Sequence, residues 1–190
     1  MSTLTMTETT TTSSTTTTTT MTTSTTTSAS AGAMVAFSED TFYRLSNEYL
    51  STNYSLAIKN ENGILSRKLN MTLSKDDGKQ YWQIKRIPNA DDWYWFACRF
   101  LGKDVRLFFD PWSEINPLMA EADDTSTGQQ WIVKSMSDGT WGISNVLWGS
   151  GAQLSTHIDT LRLFIDMKVN MRMKWIFTEV GKITAADDFL

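Results

Sequence analysis

Short apolar and aromatic runs, separated by polar turn residues, recur from about residue 41 to residue 180 of the chain. Runs of about 4–8 residues that are rich in aromatic and β-branched side chains and bounded by turn residues are typical of β-strands. The pattern predicts twelve strands, at 43–47, 54–58, 65–71, 81–87, 93–98, 105–109, 118–120, 131–136, 140–144, 153–156, 161–167 and 174–178.

No part of the pattern predicts a convincing long helix. The segment from Thr160 to Val169 also fits a helical face, but its branched and aromatic residues favour a strand. Many short, evenly spaced strands favour a closed β-architecture, because closure leaves no sheet edge exposed. The chain is therefore predicted to be all-β.

The strands belong to an imperfect repeat, in which one tryptophan per copy marks the same point. Three tryptophans take this position at intervals of 49 and 44 residues, at Trp82, Trp131 and Trp175. Two positions earlier stand Gln80, Gln129 and Met173. A repeat of this length indicates one supersecondary unit used three times.

Two further markers recur in the same register. An aromatic residue lies 34 to 39 residues before each tryptophan, at Tyr43, Tyr94 and Trp141. A leucine lies between these two markers, at Leu56, Leu107 and Leu154. Three four-stranded copies in one register predict a β-trefoil.

The markers resemble those of the ricin B-type lectins, whose β-trefoil copies each carry a Gln-x-Trp motif. The likeness covers about Phe42 to Val180. The matching stretches are Tyr43-Arg44-Leu45, Phe100-Leu101-Gly102, Leu107 and Gly128-Gln129-Gln130-Trp131. The resemblance implies a non-catalytic, carbohydrate-binding module. A buried indole N–H and a buried amide both need hydrogen-bond partners, so we expect structural roles for Trp82, Trp131, Trp175, Gln80 and Gln129.

The sequence departs from the sugar-site pattern of that family. In sugar-binding members an aspartate follows the mid-copy leucine, and a polar residue precedes the Gln-x-Trp motif. The aspartate positions of this chain are occupied by Ala57, Phe108 and Ser155. The positions before the motif are occupied by Lys79, Gly128 and Arg172. We therefore expect a weak or non-standard sugar site.

Two groups of residues are candidates for sugar contacts. A sugar needs hydrogen bonds to its hydroxyls and an aromatic ring against its C–H face. The loop of the second copy offers both, at Asp110, Trp112 and Asn116. The alternative for Trp112 is a partly buried loop anchor. The third copy offers Ser155, His157 and Asp159, which alternate and would share one strand face. They are candidates for the lining of a shallow pocket, but a solvated strand end is the favoured interpretation.

Composition sets the domain organisation. Residues 1–32 are almost wholly Thr, Ser, Met and Ala, with too little apolar surface to offset the entropy of ordering. We predict a disordered tail at 1–32 and one β-trefoil domain at 33–190. No apolar run reaches the roughly 18 residues of a membrane span. The net charge of −4 and the scattered basic residues argue against nucleic acid.

The remaining features bear on chemistry and location. His157 is the only histidine, and no metal-ligand spacing or catalytic motif is present, so we expect no enzymatic activity and no cofactor. Cys98, the only cysteine, aligns with Asn47 and Asn145, which indicates a packing role. With no secretory signal visible, the expected location is the cytoplasm, and non-classical secretion stays open.

The expected partner is a carbohydrate or a glycoprotein. The alternative is a protein-binding trefoil, an interaction scaffold or a protease inhibitor, that has lost sugar binding. The missing aspartates favour this alternative. A trefoil presents its loops on a rigid body, so the residues of the loops can change without altering the core.

Overall fold

A computed structural model of the protein describes residues 37–61, 64–110, 112, 116–168 and 170–189. The predicted disordered tail at 1–32 lies outside the described residues. Within them are twelve strands, β1 to β12 in chain order: Thr41–Asn47, Tyr54–Glu61, Ile64–Leu73, Trp82–Arg86, Trp93–Cys98, Val105–Phe108, Leu118–Glu121, Trp131–Ser135, Trp141–Asn145, Gln153–Thr156, Leu163–Asp166 and Trp175–Lys182. Four 3₁₀ turns lie between strands, at Glu48–Leu50, Gly78–Gln80, Thr127–Gln129 and Met171–Met173.

Six strands close into a barrel, in the order β1, β4, β5, β8, β9, β12 and back to β1, and each neighbouring pair is antiparallel. The other six form three hairpins, β2–β3, β6–β7 and β10–β11. Copy one is therefore β1–β4, copy two β5–β8 and copy three β9–β12. The predicted all-β trefoil of three four-stranded copies is confirmed, and the segment containing β11 is a strand, as its composition favours.

The marker tryptophans and leucines bond to each other inside each copy. All three indoles are fully buried. The indole N–H of Trp82 donates to the carbonyl of Leu56 at 3.0 Å. The matching bonds, both 2.9 Å, join Trp131 to Leu107 and Trp175 to Leu154. Each copy thus buries a large apolar ring without leaving its one polar group unpaired, which explains why the two markers keep their spacing.

The glutamine of the motif fastens the end of the hairpin to the following 3₁₀ turn. In copy two, Gln129 donates to the carbonyl of Glu121 at 2.6 Å and accepts from the N–H of Asp123 at 2.9 Å. In copy three Met173 is buried at this position and has no amide to make such bonds. The predicted structural role of the glutamines is confirmed.

The residue at the end of the first strand of a copy binds the 3₁₀ turn of the preceding copy. Asn47 donates to the carbonyl of Arg172 at 2.7 Å, and Asn145 donates to the carbonyl of Gly128 at 2.9 Å. Cys98 takes the same place in copy two, where its thiol contacts the carbonyl of Gly78 at 3.4 Å. Burial raises the pKa of this thiol to about 12, so it stays protonated near neutral pH and serves packing.

Phe37 covers one end of the barrel. Its ring contacts the first marker of each copy, with ring centroids 5.5 Å from Tyr43, 5.4 Å from Tyr94 and 5.0 Å from Trp141. It also lies 4.9 Å from the ring of Phe177 on β12. Phe37, which precedes the first copy, therefore contacts all three copies. No helix in the described part of the chain is long and apolar enough to cross a bilayer.

Candidate functional site

The three positions that the sugar-binding pattern assigns to aspartate differ in what surrounds them, beginning with copy two. There Phe108 ends β6, and its ring lies against the backbone of Gly128. A methyl group at Gly128 would stand 2.5 Å from the Cε2 atom of Phe108 and 2.5 Å from the carbonyl oxygen of Phe109. The phenyl ring therefore packs directly on Gly128, the other position of copy two to which the sugar-binding pattern assigns a contact.

In copy three the corresponding side chain is inaccessible. Ser155 on β10 is fully buried, and its hydroxyl has no hydrogen-bond partner. Strand β10 ends at Thr156, so His157 and Asp159 lie in the turn that follows and are exposed. The three side chains do not share a strand face, and His157 and Asp159 lie at the solvated strand end that the sequence favoured. His157 instead stacks on Phe164, with the ring centroids 4.0 Å apart.

In copy one a cleft lies beside the same position, which is occupied by a small, buried residue. Ala57 lies beside a cleft of about 310 Å³, which we call the copy-one cleft. Because alanine is small, its side chain leaves the cleft beside it unfilled. The cleft is lined by Ala57, Ile58, Lys59, Asn70, Thr72, Lys75, Asp77, Lys79 and Gln80.

Gln80, the motif glutamine of copy one, organises one wall of this cleft. Its side-chain amide donates to the Thr72 hydroxyl and to the Leu73 carbonyl, both at 2.8 Å. Its carbonyl oxygen accepts from the N–H of Lys75 at 2.9 Å. The residue that stabilises the fold of the copy therefore also fixes the backbone around the cleft, which gives a ligand a preorganised surface.

Asp77 lies at the rim and carries the one carboxylate among the described lining residues. It accepts from the N–H of Lys79 at 3.0 Å and pairs with the Lys75 ammonium at 3.1 Å. The Lys79 N–H first, and the Lys75 side chain next, hold the pKa of Asp77 below its ordinary value. Three lysines, Lys59, Lys75 and Lys79, against one aspartate leave the lining positive.

Asn70 adds an amide to the lining of the copy-one cleft. It lies on β3 directly opposite Ala57. Its side-chain oxygen is buried and has no hydrogen-bond partner. A buried acceptor without a partner costs about 1–3 kcal/mol, which a hydroxyl donor from a ligand offsets.

The structure joins two of the loop candidates of copy two and places the third beside a cleft. The Asp110 carboxylate accepts from the N–H of Trp112 at 2.9 Å, and the Trp112 side chain is 92% exposed, so it is no buried anchor. Asn116 lines a second cleft, of about 210 Å³. Neither Asp110 nor Trp112 is among the described residues that line that cleft. Residues 111 and 113–115 lie outside the described part of the chain.

Sequence reasoning missed the lining residues of the copy-one cleft. No family marker falls on β3 or just after it, where Asn70, Thr72 and Lys75 lie. The signal that was present is Ala57, the smallest of the three residues at the aspartate position. Among the described residues, no group of three or more His, Cys, Asp or Glu side chains is placed to hold a metal ion.

Comparison by sequence identifies no relative. No known family profile matches the chain, and neither does any curated protein. Comparison by structure does identify the fold. A designed threefold-symmetric protein, ThreeFoil, superimposes with a TM-score of 0.59 at 14% identity, over 73% of this chain and 99% of that one.

Two natural proteins show the same similarity. A mosquitocidal holotoxin matches with a TM-score of 0.64 at 13% identity, over 76% of this chain. The Polyporus squamosus lectin, whose structure holds a human-type influenza-binding epitope, matches with a TM-score of 0.60 at 17% identity, over 76% of this chain. This chain spans 18% of the holotoxin and 50% of the lectin.

These matches and the bonded Trp–Leu markers define the class. The chain is a β-trefoil with degenerate Gln-x-Trp repeats, and it has the fold of ricin B-type lectins. The predicted resemblance is confirmed at the level of fold. The matched proteins include a sugar-bound lectin and a part of a toxin.

Proposed function

We propose that the chain is a non-catalytic carbohydrate-binding module that uses the copy-one cleft. The observation that carries the proposal is that this cleft lies at a position where ricin B-type lectins bind sugar. In copy two the matching position carries the Phe108 ring, which packs on Gly128. In copy three it carries Ser155, which is buried. The principal sugar contact is therefore expected in copy one rather than in the loop of copy two.

The lining of the cleft suits a saccharide. The Asn70 oxygen accepts from a sugar hydroxyl, and the lysine ammonium groups donate to sugar oxygens. Thr72 already accepts from Gln80, so its hydroxyl proton is directed away from that bond and remains available for donation. Affinity is expected to be weak, because the described lining includes no aromatic ring.

A glycan array with the full chain tests the proposal, followed by titration of the best ligand. Asn70→Ala is expected to weaken binding roughly fivefold, the equivalent of one neutral hydrogen bond. Asn53→Ala, the matched change at an exposed asparagine outside the cleft, should leave affinity unchanged. Thermal unfolding of both variants checks that the fold is intact.

Two more variants test the other candidate contacts. If Trp112→Ala or His157→Ala abolishes binding while Asn70→Ala does not, the site is in the loop of copy two or the turn of copy three. Absence of binding to any glycan at high protein concentration removes the carbohydrate proposal.

A protein-binding trefoil is the second candidate function. The observation that favours it is the Trp112 ring, which is 92% exposed on a rigid body, since tryptophan is enriched at the centres of protein interfaces. Inhibition assays against serine and cysteine proteases, run with wild type and Trp112→Ala, test this candidate. Inhibition that the substitution abolishes, together with an empty glycan array, would establish it.

A further inference from the structure

A second cleft, of about 210 Å³, lies where side chains of all three copies meet. We call it the junction cleft. Copy one contributes Lys59 from β2 and Lys68 from β3, copy two contributes Asn116 just before β7, and copy three contributes Arg162 just before β11. Its volume is that of about seven water molecules, enough for a small anionic group and its contacts.

Backbone contacts between the hairpins fix the walls of the junction cleft. Lys68 pairs with Leu118 across β3 and β7, and Asn70 forms an antiparallel bridge with Arg162. The N–H of Met71 donates to the carbonyl of Leu161 at 2.8 Å. The basic side chains therefore project from backbones that are held together by main-chain bonds.

Leu161, directly before Arg162, has a φ of 56°, in the left-handed region that a leucine rarely adopts. Such a conformation persists only where its surroundings enforce it. Here the bond from Met71 and the bond from the Leu161 N–H to the His157 carbonyl, at 2.9 Å, hold it in place. The strained turn at Leu161 places Arg162 in the lining of the junction cleft.

Cationic side chains predominate among the described residues that line the junction cleft. Its described lining has three cationic side chains, one amide and no carboxylate, whereas the chain has a net charge of −4. Arginine and lysine side chains that converge with an amide donor form a site for an oxyanion. Lys59 lines both the junction cleft and the copy-one cleft, so the two are adjacent.

We propose that the junction cleft binds an acidic substituent of a saccharide: a sulfate, a phosphate or a carboxylate. The inference rests on the proposed function, in that the sugar ring lies in the copy-one cleft and its substituent reaches past Lys59 toward Lys68 and Arg162. It specifies the ligand class: the chain selects acidic over neutral glycans.

Isothermal titration of the full chain tests the inference with four probes: a sulfated oligosaccharide, its desulfated form, a saccharide that bears a carboxylate, and inorganic sulfate. Arg162→Gln and Lys68→Gln are each expected to lower affinity for the acidic saccharide about tenfold, the cost of one charge-assisted hydrogen bond. Lys134→Gln removes the same charge from an exposed barrel position outside the cleft and should change affinity less than about twofold.

The outcomes separate the two proposals. Preference for an acidic saccharide that Arg162→Gln abolishes and Lys134→Gln spares supports both. Binding of inorganic sulfate that depends on Arg162, with no binding of any saccharide, supports the anion site and removes the glycan function. Equal binding of sulfated and desulfated forms, or equal losses in Arg162→Gln and Lys134→Gln, overturns the inference and leaves the glycan function standing. No binding of any probe overturns both.

Discussion

At the scale of the residue, a few side chains recur in each copy because each makes a hydrogen bond or a packing contact that the copy requires. The indole of each marker tryptophan bonds to a leucine carbonyl of its own copy. In two of the three copies, the cation directly before the Gln-x-Trp position lies over an aromatic ring of the following copy. The Lys79 ammonium lies 4.8 Å from the centre of the Phe100 ring, and the Arg172 guanidinium 5.4 Å from that of Tyr49. These contacts tie neighbouring copies together at a modest gain each.

The motif glutamine Gln129 is expected to contribute more to the stability of the fold than its partly exposed neighbour, Gln130. Gln129→Met, which copies the residue of copy three, leaves the Asp123 N–H and the Glu121 carbonyl without their partner. We expect it to lower the free energy of unfolding by about 2 kcal/mol in urea titration. Gln130→Met, at a partly exposed position, should change it by less than about 0.5 kcal/mol. Equal effects of the two changes would contradict the assigned role.

At the scale of the element, the surroundings of the residue after the mid-copy leucine differ between the three hairpins. Ala57 lies beside a cleft, the Phe108 ring packs on Gly128, and Ser155 is buried. The packing in copy two depends equally on Gly128, because only a residue without a Cβ allows the Phe108 ring and the Phe109 carbonyl to approach so closely. Phe108 and Gly128 therefore form a matched pair.

Gly128→Ala tests this pairing. Its methyl group would lie 2.5 Å from both neighbours, one of which is backbone and cannot rotate away. We expect a loss of about 1–3 kcal/mol, as for other overpacked sites, measured by thermal unfolding. Gly151→Ala is the control, because no atom lies within 4 Å of the Cβ it would add. Unchanged stability of Gly128→Ala would show that the ring moves aside.

At the scale of the whole molecule, closure of the barrel requires all three copies. Strand β12 at the end of the domain pairs with β1 at its beginning, over seven residue pairs from Thr41–Lys182 to Asn47–Trp175. Phe37 adds contacts to one aromatic ring from each copy. Removing a contact that all copies share should therefore affect the global unfolding transition.

Phe37→Ala is expected to lower the free energy of unfolding by about 2–3 kcal/mol, at or below the lower end of the roughly 3–5 kcal/mol range for buried phenylalanines, because the ring is partly exposed. Phe100→Ala, at a ring that is 44% exposed, should cost no more than about 1 kcal/mol. Chemical unfolding followed by tryptophan fluorescence measures both. A Phe37→Ala variant as stable as the Phe100→Ala variant would show that the barrel end needs no cover.

Much of the fold was predictable from the sequence, and little of the site was. Strand positions follow from local apolar runs, and the threefold register follows from the spacing of Trp82, Trp131 and Trp175. The predicted strand at 153–156 and the observed β10 both end at Thr156, so His157 and Asp159 lie beyond the strand, at its solvated end, and share no strand face with Ser155. Asn70 was missed because its unpaired oxygen is a property of its surroundings.

The sequence by itself determined the three copies, their four strands each and the contacts inside each copy, because those contacts join residues at a repeated spacing. The tertiary structure alone decided which copy has a cleft beside the residue after its mid-copy leucine and where charges converge. The cleft of copy one lies beside the small side chain of Ala57, and the packing of Phe108 in copy two depends on a backbone approach at Gly128. The junction cleft brings Lys59, Lys68 and Arg162 together from hairpins that lie far apart in the sequence.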